Sequence, residues 1–286
     1  MIIIDYSQVA ISTLMAELAG RTDVPIEKDL VRHMIINNIR SYKSKFKEEY
    51  GDLVIACDNR HYWRKDKFPY YKANRKKVRQ ESGFDWKLIF DIISEVKSEL
   101  DCYFPYPVID VDGAEADDVI AVLVERMHDK EQILIISGDH DFIQLQSYPE
   151  VKQYSPIQKK FIKADKKIVH ILMEHIIKGD KGDGVPNILS PDDIFMVEGR
   201  QKPITSKKLD GWINIDPDAF HMNVDEETAR NFQRNRYLVD FQYIPDQVKA
   251  NIDNVWNNRP KKDRSNILNY FIEKKMKNLI EHVGEF

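Results

Sequence analysis

The chain has 286 residues, 42% of them apolar, and a formal net charge of −4. That length suits two domains or one large one with a substantial core, and the acidic balance argues against a simple nucleic-acid coat. No run of about 18 apolar residues occurs, so no membrane span is expected. Nor is a signal peptide expected, because no basic segment precedes an apolar one at the start.

Residues 2–4 form a short apolar run that ends in Asp5. Leu30, Met34, Ile35, Ile39, Tyr42 and Phe46 then recur at helical spacing, predicting an amphipathic helix with these side chains inward. A second apolar run, 53–57, ends in Asp58. Its Cys57 reads as a small core residue, and with Cys102 as the other cysteine there is neither a disulfide framework nor a zinc pattern. From Arg60 to Arg79 nine Lys/Arg stand against one acid, Asp66, with Trp63, Phe68, Tyr70 and Tyr71 interleaved. Trp86, Ile89, Phe90, Ile93, Val96 and Leu100 mark another helix. The run 107–111 leads, past the turn residues Asp110 and Asp112, to Glu115, Asp117 and Asp118 at the start of a helix reaching about Met127. The run 133–136 leads to Asp139, His140 and Asp141. After about residue 178 comes the turn "KGDKGDGVPN", carrying Asp180 and Asp183, and beyond it prolines cut a more polar chain into short pieces.

Near-continuous apolar strands alternating with helices predict an α/β fold with a mainly parallel sheet flanked by helices. The expected division is a core over 1–178, with a basic arch at about 60–82, and a smaller helical region over 179–286. In open parallel sheets, sites lie beyond the carboxyl ends of the strands, and right-handed crossovers keep those ends on one edge. Four segments should therefore deliver carboxylates to one crevice. Singly, Asp5 and Asp58 read as helix caps or turn residues, and Asp118 as a cap or a solvent-facing acid. Together, so many carboxylates cannot all stay ionised unaided, because like charges raise one another's pKa. Oxygen-only ligands without a Cys or His cluster select Mg²⁺, with Mn²⁺ as a substitute, and a pair of such ions suits phosphodiester hydrolysis. His140 is expected to be structural.

The basic window follows Asp58 directly. Cations interleaved with aromatics suit single-stranded nucleic acid, phosphates lying on the cations and bases on the rings. The glycines of "GDKGDGVP" would let backbone N–H groups approach a phosphate.

In order along residues 1–187, Asp5, "CDN" at Asp58, "YYKANR", "EADDVIA", "SGDHDFIQL" and "KGDKGDGVP" resemble the 5′-nuclease (flap endonuclease) superfamily, most closely its phage replication branch. The likeness continues through "EGRQKP" and "DFQYIPD". It implies a PIN-like nuclease core and a Mg²⁺-dependent 5′→3′ exonuclease and flap endonuclease with ribonuclease H activity on primers. It implies that Asp5, Asp58, Glu115, Asp117 and Asp139 serve one metal ion. Asp141 and Asp183 serve a second, with Asp180 alongside, and Asp118 matches a position acidic in part of the family. Lys72 matches a lysine near the scissile phosphate, and with Asp117 and Asp139 it forms the expected catalytic set. Tyr70, Tyr71, Arg75, Lys76 and Arg79 fall in the arch that contacts the 5′ strand, Tyr71 as a stacking neighbour. The implied partners are DNA and RNA–DNA duplexes with 5′ ends, flaps or primers, bound by a monomer. A single-strand-binding protein and a sliding clamp are left open. The implied setting is the cytoplasm, a host's if the gene belongs to a phage.

The family's second glycine-rich hairpin, which grips duplex DNA, is absent; residues 187–200 read "NILSPDDIFMVEGR" instead. "ITSKK" (204–208) and the basic stretch 261–264 are the candidate replacements, each also readable as solvated surface. Two other functions remain open: a PIN-like ribonuclease for single-stranded RNA, and a non-catalytic junction-binding protein. An aspartyl phosphatase is disfavoured by Ser7, where a second aspartate is needed.

Overall fold

The fold is described by a computed structural model of residues 1–286, with Glu198 alone left undescribed. That residue, the first of "EGRQKP", lies outside the described part. The elements in chain order begin with β1 (Ile2–Asp5), α1 (Tyr6–Leu18), α2 (Lys28–Tyr50) and β2 (Leu53–Ala56). Next come α3 (Trp63–Lys67), α4 (Asn74–Glu81), α5 (Trp86–Tyr103), β3 (Val108–Ile109), α6 (Ala116–Met127) and β4 (Ile133–Ile136). A 3₁₀ segment (His140–Ser147), β5 (Val151–Ser155), β6 (Lys160–Ile162) and α7 (Ile168–Lys178) follow. The remainder is helical: α8 (Ser206–Trp212), α9 (Glu226–Val239), α10 (Asp246–Asn257), α11 (Ile267–Glu273) and α12 (Lys277–Ile280).

The chain divides into two compact units, neither continuous in sequence. One comprises residues 1–60, 84–163 and 249–286; the other comprises 61–83 and 164–248. This contact-based division differs from the single cut expected near 178. Part of the reason lies in the last segment, whose Ile267, Tyr270, Phe271 and Phe286 are buried in the same apolar cluster as Ile4, Ile55 and Phe104 of the first unit.

In the first unit a six-stranded sheet runs β3-β2-β1-β4-β5-β6, parallel except for the β5–β6 hairpin. Every residue of β1, β2 and β4 is buried, as expected where helices cover both faces. Alternation along β1 sends Ile2 and Ile4 to the side of α1, α2 and α5, while α6 packs against β1, β2 and β4. Leu30 is an exception to the expected helix stripe and is exposed, one turn into α2. A buried network ties α2 to α5 and α11: Arg32 donates to Glu99 at 2.8 Å, which also accepts the Tyr270 hydroxyl at 2.8 Å.

The second unit is helical. Met173, Ile176 and Ile177 of α7 pack with Phe220, Phe232 and Val239, and the Phe220 and Phe232 rings stack at 3.9 Å. Asn235 of α9 donates to the carbonyls of Ile176 and Pro186, fixing the chain on either side of the glycine turn. Among the described residues no helix is long and apolar enough to cross a membrane.

Candidate active site

Asp5 ends β1, and Asp58 follows β2 by two residues. Glu115 caps α6, Asp117 and Asp118 lie in its first turn, and Asp139 and Asp141 follow β4. Because β1, β2 and β4 are parallel, these groups share the carboxyl edge of the sheet. The seven acids of the first unit that the sequence singles out thus come to one edge.

Each is held by local chemistry. Asp5 caps α1, one oxygen accepting Gln8 N–H at 3.1 Å while the other accepts the Ser137 hydroxyl at 3.0 Å. Asp58 accepts the first N–H of α6, that of Ala116, at 2.9 Å. Glu115 and Asp118 form a reciprocal capping box. Asp139 Oδ1 accepts the Asp141 N–H at 3.0 Å, so the two neighbouring aspartates are joined through backbone and side chain. Capping and a site role therefore coexist in the same residues. Burial, and then the charges of Asp58 and Asp139, push the Asp5 carboxyl up from 3.8 to about 7.

Gln153 on β5, unremarked in the sequence, holds this edge together. Its amide donates to the carbonyl of Ser137 at 3.0 Å and to that of Asp139 at 2.6 Å. Gly138 N–H donates to Gln8 Oε1 at 2.5 Å, and a side chain at Gly138 would lie 3.3 Å from Ser155 Oγ. Only the alternation of β5 marks Gln153 as inward-facing, and a buried glutamine in such a strand is the signal that could have found it. His140 is exposed. Asp110 accepts from Asn59 at 2.7 Å and pairs with Lys97, in keeping with a turn role.

In the second unit the basic window meets the glycine turn. Lys72 N–H donates to the Asp183 carbonyl at 2.7 Å, and its ammonium lies 3.4 Å from the Asp183 carboxylate. The Tyr71 hydroxyl donates to the same carboxylate at 2.7 Å, and Arg75 pairs with it too. Asp180 Oδ1 accepts the N–H groups of Gly182 and Asp183 at 2.6 and 3.1 Å. Hydrogen bonding from His175 and these N–H groups hold the Asp180 carboxyl down at about 2. Those N–H groups are therefore committed to Asp180, which corrects the expectation that they face a phosphate.

The arch is two short helices, α3 and α4, separated by residues 68–73. Its aromatics need a second correction: Trp63, Phe68 and Tyr71 are buried, and Phe68 and Tyr71 pack with Val185 and Leu238. Tyr70 alone of the four is an exposed ring. Tyr71 is thus a core residue rather than a platform for a base. Lys76 is exposed on α4, and burial together with Arg75 lowers the Arg79 pKa.

The model of the 5′-3′ exonuclease N-terminal resolvase-like domain matches residues 3–173, and that of the T4 RNase H C-terminal domain matches residues 167–286. Ribonuclease H of Enterobacteria phage T4 is 38% identical over 99% of this chain and 95% of its own length. Among solved structures, a bacteriophage T5 flap endonuclease in complex with DNA and metal ions aligns at a TM-score of 0.61 and 15% identity, over 90% of this chain and 97% of that one. A T5 protein crystallised with metal ions aligns at 0.57 and 15%, over 91% and 99%. At that identity the likeness to the T5 protein is one of fold.

Proposed function

The chain belongs to the 5′-3′ exonuclease family and is a nuclease, and from that premise we propose a Mg²⁺-dependent 5′→3′ exonuclease and 5′-flap endonuclease that removes RNA primers and adjoining DNA during replication. The observation that carries it is the gathering of Asp5, Asp58, Glu115, Asp117, Asp118, Asp139 and Asp141 at one sheet edge, with Asp5 pushed up to about 7 by burial and then by the charges of Asp58 and Asp139. Such crowding is relieved by a cation, and an all-oxygen donor set suits Mg²⁺ or Mn²⁺. The phage T5 relatives crystallised with metal ions support divalent-metal use.

Asp5, Asp58, Glu115, Asp117 and Asp139 are assigned to one ion, with Asp118 fixing Glu115 through the capping box. The family resemblance implies a second ion for Asp141 and Asp183, with Asp180 alongside. Bound divalent ions supply an activated water and offset charge on the leaving 3′ oxygen. The chain's own residues position that chemistry. Gln153 and Gln8 fix the loop bearing Asp139, and Lys72 neutralises charge developing on the phosphate. Tyr70, Arg75, Lys76 and Arg79 contact the 5′ strand. The T5 complex with DNA supports a DNA substrate, and host cytoplasm is the proposed place of work.

Cleavage of a 5′-flap substrate in Mg²⁺, by the parent and by Asp139→Asn, tests the proposal. The parent should cleave, and the variant should lose most of the rate. An inactive parent, or an unaffected variant, rules the mechanism out.

A further inference from the structure

The amino edge of the sheet in the first unit, opposite the carboxylates, carries a cluster of cations that the nuclease reading does not use. Asp52 precedes β2 and Tyr106 precedes β3, and because those strands are parallel both residues stand at that edge. Lys43 lies about two turns before the end of α2, the helix that leads into β2. Lys262, in the segment between α10 and α11, pairs with Asp101 and donates to the Tyr106 carbonyl at 3.3 Å. The basic stretch 261–264 is therefore tied to the edge opposite the carboxylates.

Lys43 is only 5% exposed, and its ammonium lies over the Tyr106 ring at 4.8 Å from the centroid. Among the described residues that ammonium has neither an ion pair nor a hydrogen bond. The same holds for the Arg264 guanidinium and the Lys47 ammonium, both exposed. Tyr106 is 1% exposed, and its hydroxyl is buried without a hydrogen-bond partner. A buried ammonium ordinarily comes with a carboxylate, and a buried hydroxyl with an acceptor or donor. Here the two stand side by side and each lacks its partner.

Electrostatics link these groups to Arg264. Burial, and then the charges of Arg264 and Lys47, push the Lys43 ammonium down from 10.5 to about 8, with Asp52 acting in the opposite direction. Lys43 therefore still carries its charge at about pH 7. Arg264 also acts on Tyr106, lowering a hydroxyl pKa that burial raises. One guanidinium thus bears on both buried groups. The acids of the neighbouring segments are committed elsewhere, Asp101 to Lys262 and Asp263 to the Ser265 N–H at 2.9 Å. That leaves the exposed Asp52 against the charges of Lys43, Lys47 and Arg264.

We propose that Lys43, Arg264 and the Tyr106 hydroxyl form a binding site for a phosphate group, either free or at the 5′ end of a mononucleotide. Burial of Lys43 restricts the occupant to a compact group. A tetrahedral oxyanion has oxygens enough to accept from all three donors, which a carboxylate does not. Two cations without partners also match a dianion better than a monoanion such as chloride. Bound there, the phosphate joins α2 to the segment between α10 and α11. The site stands independently of the nuclease reading, and either can fail without the other.

The test is titration calorimetry of the full chain with orthophosphate and with a deoxynucleoside 5′-monophosphate, in EDTA at about pH 7 and constant ionic strength set by chloride. Saturable binding of orthophosphate is expected. A mononucleotide that binds more tightly through the same residues makes the nucleotide's phosphate the occupant. Lys43→Met, which keeps an apolar stem, and Arg264→Ala should each weaken binding at least about tenfold, as for one lost charge-assisted hydrogen bond. Tyr106→Phe should weaken it a few-fold. Without phosphate, Lys43→Met should melt no lower than the parent, because it removes a buried charge that has no partner. Should Lys43→Met fail to fold, Arg264→Ala, on an exposed segment, carries the test alone. Lys130→Ala is the control, an exposed lysine just before β4 that is bonded to the Arg126 carbonyl, and it should bind as the parent does. Absence of saturable binding by either ligand, or binding that Lys43→Met and Arg264→Ala leave unchanged, overturns the site.

Discussion

The Tyr71 hydroxyl donates a 2.7 Å hydrogen bond to the carboxylate of Asp183, 112 residues further along the chain. The basic window and the glycine-aspartate turn are therefore parts of one assembly within the second unit. Tyr71 is buried there and Tyr70 is not, so adjacent tyrosines have separate tasks. Tyr70→Ala should weaken binding of a single-stranded 5′ arm by about 1–3 kcal/mol, the worth of one stacked base, with little change in melting temperature. Tyr71→Ala should cost about 3–5 kcal/mol of stability, as for a large core ring. Anisotropy titrations and thermal melts of both variants check this, and the reverse pattern would return Tyr71 to the surface.

Lys72 makes two kinds of contact with Asp183, through its N–H and through its ammonium, and its φ of 57° makes the backbone at that point a strained one. Lys72→Ala keeps the N–H and removes the charge. Single-turnover cleavage of a flap should slow about 10²–10³-fold, as when a transition-state charge stabiliser is removed, against a change in Kd of a few-fold. Equal losses in rate and binding would make Lys72 a docking residue. Lys72→Gly, which also relieves the backbone, should be no more active than Lys72→Ala.

The Asp5 carboxyl is raised from 3.8 to about 7 in the folded, metal-free chain. A group with a raised folded pKa binds its proton more tightly when folded. Its contribution is fully present below about pH 4 and lost as pH rises through 7, up to about 4 kcal/mol at roughly 1.4 kcal/mol per unit. Metal-free protein should thus melt at lower temperature at pH 8 than at pH 5, and Asp5→Asn should flatten that dependence. Mg²⁺ should raise the melting temperature more at pH 8, where the carboxylates are ionised, than at pH 5. Equal Mg²⁺ shifts at both pH values would detach Asp5 from the metal site.

Gly184 has φ 72°, and a Cβ there would lie 2.9 Å from the Tyr70 carbonyl oxygen. Gly184→Ala therefore meets backbone strain and a backbone clash together. It should cost about 1–3 kcal/mol and loosen the Lys72–Asp183 contact. Urea denaturation and flap cleavage should fall together in this variant. A neutral effect on both would mean that the turn relaxes without disturbing the site.

Local order in the chain was enough to reveal the sheet and its acids. Runs of apolar residues ending in Asp5 and Asp58, or leading to Asp139, are periodic signals that need no knowledge of distant partners. Parallel connectivity then requires their carboxyl ends to share an edge. The order of acids along the chain likewise points to the family. Tertiary structure decided which side chains are available. Tyr71 and Phe68 look like a stacking surface in sequence, yet Val185 and Leu238 bury them. The N–H groups of Gly182 and Asp183 look open to phosphate, yet Asp180 takes them. Gln153 carries no motif, yet it fixes the loop of Asp139 from another strand. In each case the deciding partner comes from the folded geometry, and burial and hydrogen-bond saturation are properties of the assembled neighbourhood rather than of any window of the chain.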